Sequence, residues 1–439
     1  SVWQTPAVDP DLGLLYFSTG NAGPDFNGRV RKGDNLFTAS ILALDIKTGE
    51  YRWHFQEVHH DIWDYDAPNP VILFDTVVDG VERKALSQAG KTGWLYILDR
   101  TTGAPLLGIN ETPVPQEPSQ YTAATQPIPV GDPFVPQELR IAPEGLQLKN
   151  KGALFTPFWL DPTVIAPGVA GGANWPPSAL DPSTGLTFIC AADKPFVFQA
   201  IDISTERPAP GASYTGGAFN GEPLPNLGVI AAIDTRTNKL AWQYLWPEPC
   251  FSGMTATASG LVFVGRNDGR LTALESATGK QLWQFQTGAG MNAPVSIFEY
   301  KGTQYVIAYS AGNTLAPSPK GDSVWLFALN GTLPESEPPG MNVTSTAGAD
   351  DSIVVAEGDP DIAAGELVFR SACVACHGED GRGGHGGGID LVNARDFGTV
   401  ATTIAQGRNN MPALGTLFTA EQLRDVAGYV AQRIARPAP

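Results

Sequence analysis

The clearest regularity in the chain is a recurring order of apolar and polar positions. Leu44–Trp53 reads as an apolar–acidic pair, a polar turn ending at Gly49, and a Trp four residues after the glycine. Ile233–Trp242 and Leu274–Trp283 repeat it, with Asn238 and Gly279 at the turn. Leu98–Gly103, Leu180–Gly185 and Val8–Gly13 carry the same turn without the Trp. The pattern predicts strand, hairpin turn, strand. Gly or Asn takes the left-handed backbone conformation, and the Trp returns to pack on a neighbouring sheet. Gly260–Leu274 predicts a further strand–turn–strand. Serial units of this kind point to a β-propeller, whose sheets leave only short, protected edges. A plain β-sandwich would not be expected to repeat one turn-plus-Trp signature so regularly.

Near Gly331 the alternation stops. The stretch to Asp361 is rich in Pro, Ser, Glu, Gly and Asp and reads as a linker. Helical spacing then takes over in Pro360–Arg370 and again in Thr419–Arg433, where Thr419 is placed to cap. The expected organisation is a propeller portion over 1–335, a linker over 336–357 and a small α-helical domain over 358–439.

Composition agrees with many turns, since the 439 residues include 49 Gly and 37 Pro. With 42% hydrophobic residues and ten Trp, disorder is excluded. No apolar run reaches the 18 or so residues of a membrane-spanning helix. A formal charge of −17 leaves too little Lys and Arg for nucleic acid. Ser1–Thr5 holds neither an initiator Met nor a signal segment, so the chain is expected to be processed or to start inside a longer one. Of four cysteines, Cys190 and Cys250 are either a disulfide or two buried thiols.

The other two form Cys373-Val-Ala-Cys376-His377, the spacing that attaches c-type haem. Two thiols bond the vinyl groups and the adjacent His lies under the iron; zinc and redox CxxC motifs are the alternatives. Met411 follows His377 by 34 residues and offers a thioether as second axial ligand, where the plainer role is core filler. Flanking helices, motif and Met411 together resemble a class I cytochrome c domain. His385, among glycines, is expected to be an exposed loop residue.

The densest polar run is Phe55–Pro68, in which His59, His60, Asp61, Asp64 and Asp66 stand among Trp63 and Tyr65. Clustered carboxylates among aromatics suit a general base or a hard cation, against the plainer reading of a salt-bridged loop. With Trp3 placed 18 residues before Asn21, with Lys91 in Lys-Thr-Gly-Trp, and with Asn174-Trp175 in Gly-Gly-Ala-Asn-Trp-Pro-Pro, residues 1 to about 330 resemble the quinoprotein alcohol dehydrogenases. These bind pyrroloquinoline quinone (PQQ) in an eight-bladed propeller.

The resemblance implies Asp64 as catalytic base, Trp3 as the floor under PQQ, and Lys91 against the quinone oxygens. It makes Asn174 and Trp175 PQQ contacts, and Asn21 and Asp64 metal ligands. An acidic residue at Asp66 accompanies lanthanide use in methanol dehydrogenase relatives, whereas the His-His-Asp-x-Trp-Asp-x-Asp run resembles a calcium- or magnesium-using glucose dehydrogenase branch. His59 and His60 are expected to be satisfied loop residues, and Phe251 sits roughly where some relatives carry a pocket aromatic.

The fold implied is mostly β, a partial eight-bladed-type propeller of about five blades with a small all-α cytochrome. About three N-terminal blades, a Glu metal ligand and a vicinal disulfide are expected to lie in a longer chain or a second one. The activity implied is alcohol oxidation with electrons passing through haem c to an external cytochrome, cupredoxin or quinone in a Gram-negative periplasm. An aldose, polyol or polymeric alcohol as substrate, and a non-catalytic scaffold fused to an electron carrier, are the alternatives.

Overall fold

A computed structural model describes residues 1–139, 152–202, 215–220, 226–313, 315–316, 318–338, 355–382, 390–407, 411, 414 and 418–435. His385 lies outside the described residues. Two compact units emerge: Ser1–Gln199 with Asn220–Ser345, and Ala200–Phe219 with Thr346–Pro439.

In the first unit, antiparallel meanders follow one another. Four strands, Ala7–Asp9, Leu14–Ser18, Ser40–Asp45 and Tyr51–Gln56, form the first sheet in sequence order. Ile72–Val78, Val81–Ala89 and Leu95–Asp99 form the second. Four-stranded sheets over 179–246 and 254–286 and a three-stranded sheet over 296–327 continue the series. Separate apolar clusters join each of these five sheets to the next. Tyr16, Ile41, Trp53 and Leu98 join the first pair; Phe74, Ile97, Ile189 and Val229 the second; Phe188, Cys190, Val262 and Leu274 the third; Leu271, Val306 and Phe327 the last. Strand pairs Ile109–Pro113 with Thr125–Pro129, and Thr163–Ile165 with Phe196–Ala200, lie in the connections.

The repeated signature has one geometry. Gly13, Gly49, Gly103, Gly185, Gly279 and Asn238 all have φ between +54° and +76°. Each Trp faces a small residue across the ladder: Ala43 opposite Trp53, Ala232 opposite Trp242, Ala273 opposite Trp283. A register shift follows that Ala in all three, which lets the strand bend as the turn begins.

The indole then reaches the next sheet. Trp53 Nε1 donates to the Arg100 carbonyl at 3.1 Å, and Trp242 Nε1 to that of Ser276 at 2.9 Å. In both cases the acceptor stands three residues before a turn glycine, Gly103 or Gly279. A Cβ on Gly103 would lie 2.5 Å from Trp53 Cε3, and one on Gly279 2.6 Å from Trp242 Cε3. These glycines are therefore required twice, by φ and by the ring on top of them. Trp283 has no such seat; it is 39% exposed and packs edge-on against Phe327.

The second unit holds helices Ile362–Ala372, Val374–His377, Phe397–Gln406 and Ala420–Tyr429, around Phe369, Cys373, Ile404, Leu423 and Val426. Thr419 caps the last of these in a capping box with Gln422. The helix over 397–406 is absent from the sequence reading. A Gly, a Val, three Thr and an Ile depress its intrinsic propensity, and burial of Val400, Ala401, Ile404 and Ala405 sustains it. Among the described residues no helix is long and apolar enough to cross a membrane.

Gly49 has φ +72° but open space around it, whereas Gly103 has φ +76° and the Trp53 ring. Gly49→Ala should therefore show only the left-handed penalty of about 1–2 kcal/mol, and Gly103→Ala a further ~1–3 kcal/mol of overpacking. Urea midpoints of the two variants measure the difference.

Candidate functional site

Gln56 ends the last strand of the first sheet, and the polar run begins where that strand leaves the core. Asp61 is fully buried. Its Oδ1 accepts from the backbone N–H of Trp63 at 2.9 Å and of Tyr65 at 3.1 Å, which folds the loop around it. Trp63 and Tyr65 stack at 5.7 Å, with Phe155 edge-on to both. Trp63 Nε1 donates to the Thr156 carbonyl at 2.8 Å, and the Tyr65 hydroxyl to that of Pro167. With residues 63 and 65 anchored inward, Asp64 is turned the other way at φ +61°. Strain of this kind at a non-glycine residue persists only where the surroundings over-determine it.

Asp64 meets Lys91. The Lys91 ammonium lies 2.6 Å from the Asp64 carbonyl, 3.2 Å from Asp64 Oδ2 and 2.7 Å from Asp66 Oδ1, with the lysine side chain 5% exposed. Trp3 Nε1 donates to the other Asp66 oxygen at 3.0 Å. Lys91 is seated by a neighbouring segment: Gly172 N donates to the Lys91 carbonyl at 2.7 Å, and a Cβ on Gly171 would lie 2.5 Å from Lys91 Cβ. That segment runs on to Asn174 and Trp175, whose backbone is bound from the site loop. Asn69 Nδ2 donates to the carbonyls of Asn174 at 2.9 Å and Pro176 at 2.8 Å.

Burial, opposed by Lys91 and reinforced by Asp66, raises the Asp64 pKa well above the carboxylate range. Lys91 itself is pushed up, because Asp64 and Asp66 outweigh the burial that would lower it. Asp25 is pushed up to about 6 by burial and by Asp61. Glu57, 1% exposed, is raised strongly by burial and then by Asp66.

The structure brings Asp64, Asp66, Lys91 and Trp3 into direct contact, with the backbone of Asn174 and Trp175 alongside. The Asn174 side chain turns into its own loop, donating to Ala170 O at 2.8 Å and accepting from Trp175 N at 2.8 Å. Trp3 is 49% exposed. His60 is buried between the carbonyls of Gly33 and Gln120, and His59 lies between Gln56 and Glu111, so both histidines are engaged in loop packing. Asp25, Glu57 and Arg31, whose guanidinium donates to the Asp61 carbonyl at 2.6 Å, are absent from the sequence reading. Glu57 stands inside the polar run Phe55–Pro68 and Asp25 four residues after Asn21, and these positions are the signals that could have found the two acids.

Two buried carboxylate oxygens near this loop lack a hydrogen-bond partner, and such oxygens are the donor type a hard cation takes. They are Asp61 Oδ2 and Glu57 Oε1; the Asn21 amide nitrogen is also unpartnered, but as an N–H donor it calls for an acceptor and not for a cation. Among the described residues no group of three or more His, Cys, Asp or Glu is gathered tightly enough to hold a metal ion, and Lys91 sits between the two loop carboxylates. In the second unit, the short helix Val374–His377 carries Cys376 and His377, with Cys373 at its N-cap and His377 N donating to the Cys373 carbonyl at 2.9 Å. Cys373 and His377 are buried, and Met411 packs on the apolar cluster that includes Cys373. A thiol and a thioether at one apolar cluster, with a buried imidazole four residues after the thiol, fit a haem. Cys190 and Cys250 are joined as a disulfide.

Comparison with known proteins bears on both units. The family described as glucose/ethanol/alcohol dehydrogenase, beta-propeller domain, matches residues 1–306. The family described as cytochrome C oxidase, cbb3-type, subunit III, matches residues 360–430. A quinohemoprotein alcohol dehydrogenase of Comamonas testosteroni is 32% identical over 409 residues, 88% of this chain and 53% of that protein. Quinoprotein alcohol dehydrogenase PedH of Pseudomonas putida is 33% identical over 319 residues, 72% of this chain and 50% of that protein. The crystal structure of the Comamonas testosteroni enzyme superposes with a TM-score of 0.62 at 27% identity, covering 98% of this chain and 62% of that one. A europium-containing methanol dehydrogenase gives 0.56 at 28% identity, covering 71% and 51%. The chain thus spans about half the length of these curated relatives.

Lys91 is the only cation in contact with Asp64 and Asp66 among the described residues. Lys91→Met should destabilise the metal-free protein by about 3 kcal/mol at neutral pH, the usual penalty for a stranded buried charge. Burial places the folded Asp64 pKa above its unfolded value, so stability falls as pH rises through that interval. Removing Lys91 widens the interval. Urea unfolding should accordingly show a larger loss at pH 8 than at pH 5.

Proposed function

We propose, from the premise that this chain belongs to the PQQ-dependent glucose/ethanol/alcohol dehydrogenase family, that it oxidises an alcohol to an aldehyde or ketone and passes the electrons through haem c to an external acceptor. The observation that carries this reading is Asp64: a carboxylate on a strained loop, its basicity raised by burial, held by a buried lysine beside a half-exposed Trp.

PQQ, when bound, supplies a carbonyl able to accept hydride. Trp3 offers a flat face for stacking it, and Trp175 an aromatic edge. Asp64 takes the hydroxyl proton of the substrate on its carboxylate. A base of raised pKa holds that proton more readily than an ordinary carboxylate, while Lys91 keeps the group oriented. Asn21, Asp64 and Asp66 would hold the ion, calcium or a lanthanide, that acts as Lewis acid. The extra charge of Asp66 and the likeness to a europium-containing enzyme favour the trivalent ion.

Cys373 and Cys376 would attach the haem, with His377 and Met411 as axial ligands. The serial meanders are read as about five blades of an eight-bladed-type propeller. Haem attachment occurs outside the cytoplasm, and the Cys190–Cys250 disulfide requires an oxidising compartment. Both support a periplasmic location.

The test is haem reduction by alcohols after loading with PQQ and Ca²⁺ or La³⁺, read from the haem absorbance. Asp64→Asn should lower the rate by about 10²–10⁴-fold; absence of reduction by any alcohol or sugar in the unaltered protein would sink the reading. Asp66→Ala should lower bound La³⁺, measured by elemental analysis, more than bound Ca²⁺. Met411→Ala should lower the haem reduction potential, because thioether ligation raises it; an unchanged potential would remove Met411 as ligand.

A further inference from the structure

The disulfide lies closer to the site in bonding terms than in sequence. Cys190 belongs to the strand Leu186–Asp193, two residues before Ala192, whose N–H donates to the Gly172 carbonyl at 2.8 Å. Gly172 in turn donates to the Lys91 carbonyl at 2.7 Å. Cys250, on the other side of the bridge, opens the segment Cys-Phe-Ser-Gly-Met, and its N–H donates to the Ala191 carbonyl at 3.3 Å. Ser252 N donates to Cys190 Sγ at 3.1 Å, and Met254 N to the Pro177 carbonyl at 2.9 Å. Five residues are thus fastened at both ends, and Phe251 is the side chain they present.

Phe251 stacks on Trp175, with ring centroids 5.4 Å apart and planes 18° from parallel. Both rings belong to one small apolar cluster with Ala170, Ala192 and Ala316. Phe251 is 5% exposed and each bridged cysteine 4%. Trp175 follows Asn174, the residue whose backbone is tied to the Asp66–Asn69 loop through Asn69. The other members of the apolar cluster are small alanines, and the Phe251 carbonyl accepts from Asn292 Nδ2 at 3.4 Å, so the bridge at Cys250 is the covalent tether next to the ring.

We propose that the Cys190–Cys250 disulfide is a positioning element of the active site: it holds Phe251 against Trp175 and thereby sets the aromatic wall that faces quinone and alcohol beside Asp64 and Lys91. The bridge contributes no atom to the reaction. Its effect falls on binding and on which alcohols fit, and not on proton transfer at Asp64. The inference rests on the dehydrogenase reading of the same site.

The experiment compares the unaltered full chain with Cys190→Ala/Cys250→Ala, Phe251→Ala and the triple combination. Near-UV circular dichroism of the apo protein reads the Trp175–Phe251 stack without any cofactor, and far-UV dichroism reports folding. The double cysteine variant should keep its far-UV signal and lose part of the near-UV signal. It should raise the PQQ dissociation constant and the alcohol KM by about tenfold, with kcat within about threefold. Tenfold corresponds to ~1.4 kcal/mol. Phe251→Ala should reproduce those changes, and the triple variant should add little, as residues acting through one contact do.

Unchanged dissociation constant and KM in the double cysteine variant overturn the proposal, as does full additivity with Phe251→Ala. If the double variant loses its far-UV signal, the proposal then stands or falls on a folded one-sided variant, Phe251→Leu: a wall held by shape predicts a raised KM, and an unchanged KM overturns it. Failure of the unaltered protein to oxidise any alcohol, with the near-UV effect intact, would instead fault the dehydrogenase reading and leave the clamp standing.

Discussion

The seating of a tryptophan on the turn glycine of the next sheet is the contact on which the rest of the first unit depends. Trp53 on Gly103 and Trp242 on Gly279 each combine burial of a large ring with an indole hydrogen bond to a carbonyl three residues earlier. A side chain of this size removes some 150–250 Å² from water, and at about 25 cal/mol per Å² this outweighs a single net hydrogen bond of ~1 kcal/mol. The hydrogen bond supplies orientation and the ring supplies most of the stabilisation. Because the acceptor lies in a neighbouring repeat, each seat fixes the offset between two sheets. Loops leaving those sheets then arrive at reproducible positions.

The Asp64–Asp66–Lys91 cluster exploits that rigidity. An unpaired carboxylate at this depth costs several kcal/mol, more than any single turn or cap contributes. The loop is held in its strained form only because aromatic anchors at Trp63 and Tyr65 pull inward while Lys91 compensates the charge. Lys91 in turn is held by Gly171 and Gly172, residues with no chemistry of their own. Gly171 has φ +72°, and any side chain there would enter the space of the lysine stem. The pKa shift at Asp64 is therefore a product of the packing of three separate segments and not of the loop alone.

Much of this was legible beforehand where chemistry is local. Turn glycines and Asn238 announce themselves because only a few residues tolerate positive φ. The Trp repeat is visible because the same order recurs, with Trp four residues after the turn residue in each copy. Thr419 was readable as a cap because a capping box is confined to four residues. By contrast, the helix over 397–406 was invisible, since its β-branched residues suggest strand until burial overrides them. Asp25 and Glu57 were passed over for a different reason. An acid in a sequence carries no mark of burial, and burial is the main cause of the raised pKa at both.

The amino-acid sequence by itself therefore determined the kinds of element, the repeat, the haem-binding spacing and the acidic loop, all of which are set within windows of about ten residues. Only the tertiary structure decided that Cys190 and Cys250 are bridged, that Lys91 lies between Asp64 and Asp66, that Trp3 binds Asp66, and that Phe251 covers Trp175. Each of these joins segments between 25 and 76 residues apart. Local propensity is blind at such separations, because the pairing is selected by which buried charges and rings can be satisfied together once the sheets have packed.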